Sequence, residues 1–205
     1  MNITFDDFIM IRPNALPVNV CQELMDHTKN NMEEITALTM DVDQGNAMQY
    51  EGRDPADSMS RRDFCFYMSY SIYRHIRTTY YSVISTINEG LSQYVSKYPA
   101  IASLNPPLHV PDLKYHIVHS GGGYHNWHTE WNVVPPNDRR ILVWHLALTS
   151  HENEGELEFL YFDKRIEAIA GQLIVWPASF PYIHRGNAIR SATEKHYLTG
   201  WYFVT

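Results

Sequence analysis

Two residues with metal-binding side chains, His128 and Glu130, lie two positions apart in an aromatic-rich stretch at 121–131, GGGYHNWHTEW. On an extended strand, residues i and i+2 point to the same face, so an imidazole nitrogen and a carboxylate oxygen would project side by side. Two histidines and one carboxylate on one face of an ion are the ligand set of non-haem Fe(II) oxygenases. An isolated pair is more often structural, so a third ligand from another strand is needed.

His184 is the preferred third ligand, because it follows the apolar stretch at 173–176 and a proline-marked turn and would begin the next strand. Three other histidines remain as alternatives. His145 lies in an alternating strand and could face the same cavity. His151 sits in a polar turn, which predicts exposure, and His196 is adjacent to a lysine from which strand alternation would point it away.

The last predicted strand presents a cation among polar and aromatic side chains. Alternation places Lys195, Thr199 and Trp201 on one face, together with Tyr197. A lysine is expensive to bury without an anion. This face is therefore either exposed to solvent or brings Lys195 to a carboxylate.

The composition indicates an ordinary globular chain, predicted as one domain over residues 1–205. The formal net charge of −7 argues against a general nucleic-acid-binding protein, which needs a basic surface. Cys21 and Cys65 lie far apart without metal-binding spacing, which predicts reduced thiols and a cytoplasmic location. We find no signal sequence or membrane-spanning apolar run, so no membrane association is expected.

The pattern of elements predicts an α+β, mainly β fold. Residues 1–105 form a helical support region whose main feature is a helix over 76–98, and residues 41–60 are predicted as a loop. Residues 106–205 contain short apolar or alternating runs separated by turns, which favours a jelly roll, or double-stranded β-helix. We expect the helical layer to pack on its major sheet.

The order of motifs in the second half resembles the prolyl 4-hydroxylase-like group of 2-oxoglutarate, Fe(II)-dependent dioxygenases. That group has a glycine-aromatic approach to H-x-D, a G-G-E-type strand, a hydrophobic strand ending in proline, a distal histidine and R/K-Y-x-L-T-x-W. Here the matching stretches are GGYHNWHTE at 122–130, GELEF at 155–159, GQLIVWP at 171–177, His184 and KHYLTGW at 195–201. The resemblance covers roughly residues 112–203.

This resemblance implies that His128, Glu130 and His184 bind Fe(II) and form the catalytic centre. It implies further that Lys195 pairs with the distal carboxylate of 2-oxoglutarate, and that Thr199 and Trp201 line the cosubstrate pocket. O2 would be the second cosubstrate, with ascorbate as a reductant. Two positions depart from the group's usual pattern. Most relatives have Asp where this chain has Glu130, and many place a cosubstrate-contacting Tyr where this chain has His119.

Several alternatives remain open from the sequence. Arg190 competes with Lys195 as the cosubstrate cation, although it lies outside the L-T-x-W register. A cupin-like protein that binds a metal or small acid without turnover is a different class of function, and a jelly-roll enzyme using Mn and no keto acid is another. The substrate would be a small molecule or a peptide, and Arg139, Arg140 and Arg185 are candidate contacts for an anionic one. The oligomeric state stays open.

Overall fold

The computed structural model describes residues 2–40, 47–50, 61–68, 70–103, 108–110 and 113–204. Within these residues twelve strands form, and all of their pairings are antiparallel. The strands are β1 (Thr4–Asp6), β2 (Ile9–Arg12), β3 (Ala47–Tyr50), β4 (Arg61–Tyr67), β5 (Lys114–Val118), β6 (Gly123–His128), β7 (Arg140–Ala147), β8 (Leu157–Phe159), β9 (Lys164–Ile166), β10 (Leu173–Pro177), β11 (His184–Gly186) and β12 (Lys195–Phe203).

The helices are concentrated in the first half of the chain. They are α1 (Val18–Asn30), α2 (Met32–Met40), α3 (Tyr70–Tyr73) and α4 (Arg77–Lys97), with short 3-10 turns at Arg74–Ile76, Pro99–Ser103 and Asn137–Arg139. The predicted helix over 76–98 corresponds to α4, whose buried side Val83, Ile87 and Tyr94 follows helical spacing. None of the helices in the described part of the chain combines the length and apolar character that a membrane crossing requires.

The strands divide into two sheets that share β4. The major sheet has the order β1-β2-β10-β7-β12-β5-β4, with β3 beyond β4, and the minor sheet has the order β4-β6-β11-β8-β9. Residues 64–67 of β4 pair with β5, whereas Arg61 and Arg62 pair with β6. This double-layered arrangement confirms the predicted jelly roll.

Two apolar clusters hold these layers together. The larger one lies between the helices and the major sheet and includes Leu24, Ile87, Trp144 and Leu173, all almost completely buried. The smaller one lies between the sheets and includes Phe159, and it continues through Val143 and Trp176. The helical layer therefore covers the outer face of the major sheet, as predicted, and leaves its inner face for the site.

The first half contributes strands as well as helices, which the helical pattern did not indicate. Near the start of the chain, β1 and β2 form a hairpin. Its turn residues Asp7 and Phe8 both have positive φ, 49° and 60°, as a type I′ turn requires. The predicted loop at 41–60 contains β3. Residues 41–46 and 51–60, the rest of that prediction, lie outside the described residues.

Candidate active site

Three metal-binding side chains converge between the sheets at the end of β6. His128 is the last residue of β6 and pairs in register with His184, the first residue of β11. The extended strand expected to carry both His128 and Glu130 is shorter than that, because β6 ends at His128. Glu130 is instead placed by its backbone N–H, which donates to the carbonyl of Ala178 at 3.1 Å. Ligand atoms of His128, Glu130 and His184 all lie within 4.8 Å of one another.

Both imidazoles are oriented by backbone carbonyls. The Nδ1–H of His128 donates to the carbonyl of Asn126 at 2.9 Å, and that of His184 donates to the carbonyl of Tyr182 at 3.0 Å. These bonds keep a proton on Nδ1, so Nε2 is the nitrogen that would provide the lone pair to a metal ion. Nε2 of both rings faces the same oxygen of Glu130, at 3.3 Å from His128 and 3.6 Å from His184.

The second oxygen of the Glu130 carboxylate is held by donors from the major sheet. The indole N–H of Trp201 donates to Oε2 at 3.0 Å, and the guanidinium of Arg140 donates to the same oxygen at 3.3 Å. Arg140 also stacks on the Trp201 ring, with 3.7 Å between its guanidinium carbon and the ring centroid. The other carboxylate oxygen, Oε1, therefore faces the two histidines. This donor set, two Nε2 atoms and one carboxylate oxygen, fits a divalent iron ion.

Burial and neighbouring charges act in opposite directions on these groups. Burial would raise the pKa of Glu130, but hydrogen bonds and charge interactions with His128 and His184 outweigh it and hold that pKa well below its ordinary value. For His184, burial is the largest effect and lowers the pKa, with Glu130 opposing it. Glu130 is consequently an anion, the state in which a carboxylate binds a metal.

The three side chains open into a cavity of about 420 Å³ between the two sheets. Its walls include residues from β4, β5, β6, β7, β8, β10, β11 and β12. The charged and ring-bearing members of this lining are Tyr67, Lys114, His116, Tyr124, His128, Glu130, Arg140, His145, Trp176, His184, Lys195, Tyr197 and Trp201. The shared face predicted for the last strand is thus the cavity wall rather than a solvent-exposed surface.

Lys195 is a buried cation in this wall. Its side chain is almost inaccessible, and its ammonium group donates to the carbonyl of Gly155 at 2.7 Å and lies 4.8 Å from the centroid of the Tyr197 ring. Burial lowers the pKa of Lys195 to about 8, although the carboxylates of Glu156 and Asp63 oppose the shift. Within the described residues no carboxylate lies within 4.0 Å of its ammonium group. This cation therefore lacks the close anionic partner that burial normally requires.

Thr199 is bound into a polar chain at the side of the cavity. His116 on β5 bonds to Asp63 through Nδ1 at 2.7 Å and to the Thr199 hydroxyl through Nε2 at 2.9 Å. The His116 ring also stacks on Tyr197, with centroids 4.5 Å apart and an interplanar angle of 5°. These contacts fix the Thr199 hydroxyl and the Tyr197 ring on the cavity side of β12.

The structure does not bring His119 into the cavity, contrary to the cosubstrate role that the resemblance implied. His119 follows the end of β5, where the chain leaves the sheet, and its Nδ1 lies 2.9 Å from a carboxylate oxygen of Glu194. The side chain is 65% exposed. Arg190 is also exposed and lies outside the cavity lining, so the structure favours Lys195 over Arg190 as the cavity cation.

Two alternative histidine ligands are used elsewhere in the fold. His151 was expected to be exposed, and this expectation is wrong, because the residue is buried and its backbone forms a β-bridge with Ala168. Its ring nitrogens contact Glu154 at 3.2 Å and Thr149 at 3.1 Å. His196 points away from the cavity, as alternation predicted, and contacts the hydroxyl of Tyr115.

The sequence patterns did not indicate the cavity roles of His116 and Lys114, and they left that of His145 open. Lys114 and His116 alternate on β5 and share the cavity face. Their alternation with Tyr115 and Ile117 marks a polar face in the sequence, but it does not indicate which strand β5 lies beside, so the cavity could not be assigned from it. Strand pairing settles the matter, since β5 lies directly beside β12, with His116 opposite Tyr197.

No family model matches the sequence, and no curated protein matches it. Solved structures do match over nearly the whole chain. The viral collagen prolyl hydroxylase of Paramecium bursaria Chlorella virus-1, in a 2OG complex, has a TM-score of 0.65 at 13% identity, and the match covers 97% of each chain. A Pseudomonas putida prolyl-4-hydroxylase has a TM-score of 0.58 at 16% identity, covering 96% of this chain and 92% of that one.

A third match is a prolyl hydroxylase from Trichoplax adhaerens, in complex with a hypoxia inducible factor oxygen degradation domain peptide fragment. Its TM-score is 0.63 at 17% identity, and the match covers 96% of this chain and 84% of that one. These matches establish the fold. The chain has the fold of the prolyl hydroxylases, as the order of its motifs predicted.

Proposed function

We propose that the protein is a 2-oxoglutarate- and Fe(II)-dependent dioxygenase that hydroxylates a C–H bond and releases succinate and CO2. One observation carries the proposal: a single cavity holds both the two-histidine, one-carboxylate group and the buried ammonium of Lys195, which has no ion-pair partner in the described chain. A keto acid that chelates a metal at one end and carries a carboxylate at the other matches both ends of this cavity.

In this proposal His128, Glu130 and His184 hold the iron. When bound, Fe(II) with 2-oxoglutarate and O2 supplies the oxidising chemistry, which belongs to these groups rather than to protein side chains. Trp201 and Arg140 keep the Glu130 carboxylate turned so that one oxygen faces the two imidazoles. The backbone carbonyls of Asn126 and Tyr182 keep both imidazole protons away from the metal side.

Lys195 would bind the distal carboxylate of the keto acid and so orient its reactive end toward the metal. Apolar side chains exclude water from the space between, as Val143, Leu157 and Trp176 line the same cavity. A dry site strengthens each charge interaction and limits side reactions of the oxidant. The protein's contribution is thus positioning and exclusion of water.

We propose an amino-acid side chain as the substrate, with proline the first residue to test. Support comes from the proteins of similar structure, which are prolyl hydroxylases, one of them in complex with a peptide fragment. An anionic substrate has less support, because two of the three candidate guanidinium groups, those of Arg140 and Arg185, already have partners. Arg140 bonds to Glu130, and Arg185 bonds to Glu158 and stacks on Trp127.

We would test the proposed activity by measuring turnover of protein loaded with defined amounts of metal and cosubstrate. The protein is loaded anaerobically with Fe(II) and 2-oxoglutarate, O2 is admitted, and succinate is measured with and without proline-containing peptides. We expect succinate above the protein-free control, increased by a substrate that gains 16 mass units. A binding protein of the cupin type would retain metal and acid without producing succinate. A Mn enzyme that uses no keto acid would leave Lys195 without a role.

A further inference from the structure

His145 has an unsatisfied ring in a cavity where the other histidines are bonded. It lies on β7, with 6% of its surface exposed, and neither of its ring nitrogens hydrogen-bonds to a described residue. Its Nδ1 is fully buried without a partner. In contrast, His116, His128 and His184 each use Nδ1 in a hydrogen bond. A buried polar group without a partner is destabilising and calls for an explanation.

The position of His145 relates it to Lys195 and Thr199. It is the register partner of Thr199 on the adjacent β12, and it lines the same cavity. Its ring stacks on Tyr197, with centroids 4.7 Å apart and an interplanar angle of 20°. The ammonium of Lys195 lies over the same Tyr197 ring. Tyr197 therefore fixes the orientation of both the imidazole and the ammonium group.

The imidazole of His145 is neutral in this environment. Burial, followed by the positive charge of Lys195, lowers the pKa of His145 well below its ordinary value. A neutral imidazole still has one N–H donor. It can therefore donate a hydrogen bond to an anion without adding a second buried charge beside Lys195.

Thr199 is less available as a donor than its position suggests. Asp63 accepts a hydrogen bond from the Nδ1–H of His116, so Nε2 of a neutral His116 is an acceptor. The Thr199 hydroxyl then donates its proton to His116. Its oxygen retains only lone pairs, which do not favour a carboxylate. A second donor beside Lys195 must come from another residue.

We propose that His145 is a further cosubstrate-binding residue, whose imidazole N–H donates to the carboxylate of the acid held by Lys195. This inference rests on the proposed function, since the acid is the keto acid of that reaction. It assigns the distal carboxylate two donors of different kinds, an ammonium group from β12 and an imidazole from β7. The pocket would then select ligands that carry a second carboxylate, because a ligand without one leaves the ammonium and the imidazole N–H unpaired.

The competing explanation is that His145 only fills space against Tyr197. His145→Phe keeps an aromatic ring for stacking and removes the donor, whereas His145→Gln keeps a side-chain N–H and removes the ring. Binding is measured by calorimetry on protein loaded with Mn(II), with 2-oxoglutarate as the first ligand. The second ligand is 2-oxopentanoate, which has the same chelating end and no distal carboxylate. Mn(II) affinity serves as the folding control.

We expect His145→Phe to weaken 2-oxoglutarate binding by roughly tenfold to a hundredfold, the range for a hydrogen bond to a charged group. The same variant should leave 2-oxopentanoate binding unchanged. His145→Gln should stay within about fivefold of the parent for 2-oxoglutarate, an intermediate loss by the same principle.

Unchanged 2-oxoglutarate binding in His145→Phe would overturn the inference, as would an equal loss for both ligands, which indicates packing alone. If Lys195→Ala weakens 2-oxoglutarate binding while His145→Phe does not, the proposed function stands and only the role of His145 fails. If the parent protein binds Mn(II) but no 2-oxoglutarate, the proposed function itself fails, and the inference fails with it.

Discussion

At the scale of single residues, the carboxylate of Glu130 is the most constrained group of the site. Trp201 and Arg140 hold one of its oxygens, and the other faces His128 and His184. The longer Glu side chain reaches these donors from a position just beyond β6 rather than from within the strand. The extra methylene, a departure from the more common Asp, therefore has supporting contacts on the major sheet.

We expect Glu130→Asp to keep part of the succinate-forming activity, since a shorter carboxylate retains the charge but withdraws from Trp201 and Arg140. Glu130→Gln should lose most of it and weaken Fe(II) binding at least about tenfold, because a neutral amide is a poor ligand for a hard divalent ion. Fe(II) affinity and succinate formation are the measurements. Equal Fe(II) affinity in the Gln variant and the parent would show that Glu130 does not bind the metal.

His184→Ala should abolish succinate formation and reduce Fe(II) affinity sharply, since it removes one of three protein ligands. The matched control is His75→Ala, an exposed histidine outside the cavity, which should change neither quantity. Equilibrium dialysis against Fe(II) under anaerobic conditions measures the affinity. Full turnover by His184→Ala at limiting iron would exclude His184 as a ligand.

Lys195→Ala should raise the dissociation constant for 2-oxoglutarate by roughly tenfold to a hundredfold, because it removes a charge-assisted hydrogen bond of about 1.5–3 kcal/mol. Fe(II) affinity should change little. Lys195→Arg should be milder, although a planar guanidinium is not equivalent to an ammonium group. Arg190→Ala is the control, as Arg190 is exposed and outside the cavity. The reverse pattern would contradict the assignment: weaker 2-oxoglutarate binding in Arg190→Ala and unchanged binding in Lys195→Ala.

Strand alternation explains which site residues the sequence could indicate. Lys195, Thr199 and Trp201 share a face by alternation alone, and the structure places all three on the cavity wall. His116 shares a face with Lys114 by the same alternation, but only the pairing of β5 with β12 assigns that face to the cavity. His145 lies in a mostly apolar strand, RILVWHLA, whose alternation alone does not distinguish its two faces.

At the scale of elements, the connection before β10 shows how local backbone geometry supports the sheet. Gly171 has φ of 80°, and a Cβ at this position would lie 2.1 Å from the carbonyl oxygen of Leu16. The carbonyl of Gly171 in turn accepts a hydrogen bond from the N–H of Leu16 at 3.0 Å. This contact joins the segment between β2 and α1 to the start of β10, the strand that contributes Trp176 to the cavity.

Gly171→Ala should lower the free energy of unfolding by about 2–3 kcal/mol, from positive φ together with the clash with Leu16. In a chain of this size the loss corresponds to a melting temperature lower by roughly 4–12 °C. Gly121→Ala is the matched control, because Gly121 has a similar φ of 78° but its Cβ would meet no atom closer than 3.8 Å. Equal losses in the two variants would show that the clash contributes nothing.

The periodicity of apolar residues predicted the regular helices and strands. It did not predict the features that depend on turn conformation. The helix over 76–98 and the strands over 173–177 and 195–203 follow their patterns closely. The hairpin at Asp7 and Phe8 was missed because neither residue is a glycine, although both adopt positive φ. The burial of His151 was missed because its turn is polar in sequence but is covered by tertiary contacts.

At the scale of the whole molecule, the larger apolar cluster and the site lie on opposite faces of the major sheet. The larger apolar cluster lies between the helices and the major sheet, and the smaller one between the two sheets, beside the cavity. Phe159 and Trp176 of the smaller cluster contact the ring of His184, whereas the described members of the larger cluster include none of the three ligands. Removal of metal should therefore leave the fold intact and affect only the cavity.

Ligands that bind only the folded cavity should raise the melting temperature stepwise. Mn(II) at a hundred times its dissociation constant raises the free energy of unfolding by about 2.7 kcal/mol. 2-Oxoglutarate at the same excess raises it by a similar further amount. Each step corresponds to a melting temperature higher by roughly 5–10 °C. The 2-oxoglutarate step should require the metal, because the acid is expected to chelate it while pairing with Lys195.

Differential scanning fluorimetry of chelated, Mn(II)-loaded and doubly loaded protein measures both steps. In Lys195→Ala the Mn(II) step should remain, and the 2-oxoglutarate step should shrink at the same ligand concentration because occupancy falls. His184→Ala should lose the Mn(II) step and, with it, most of the 2-oxoglutarate step. An equal 2-oxoglutarate step in chelated and metal-loaded protein would contradict chelation, since the acid would then bind away from the three converging side chains.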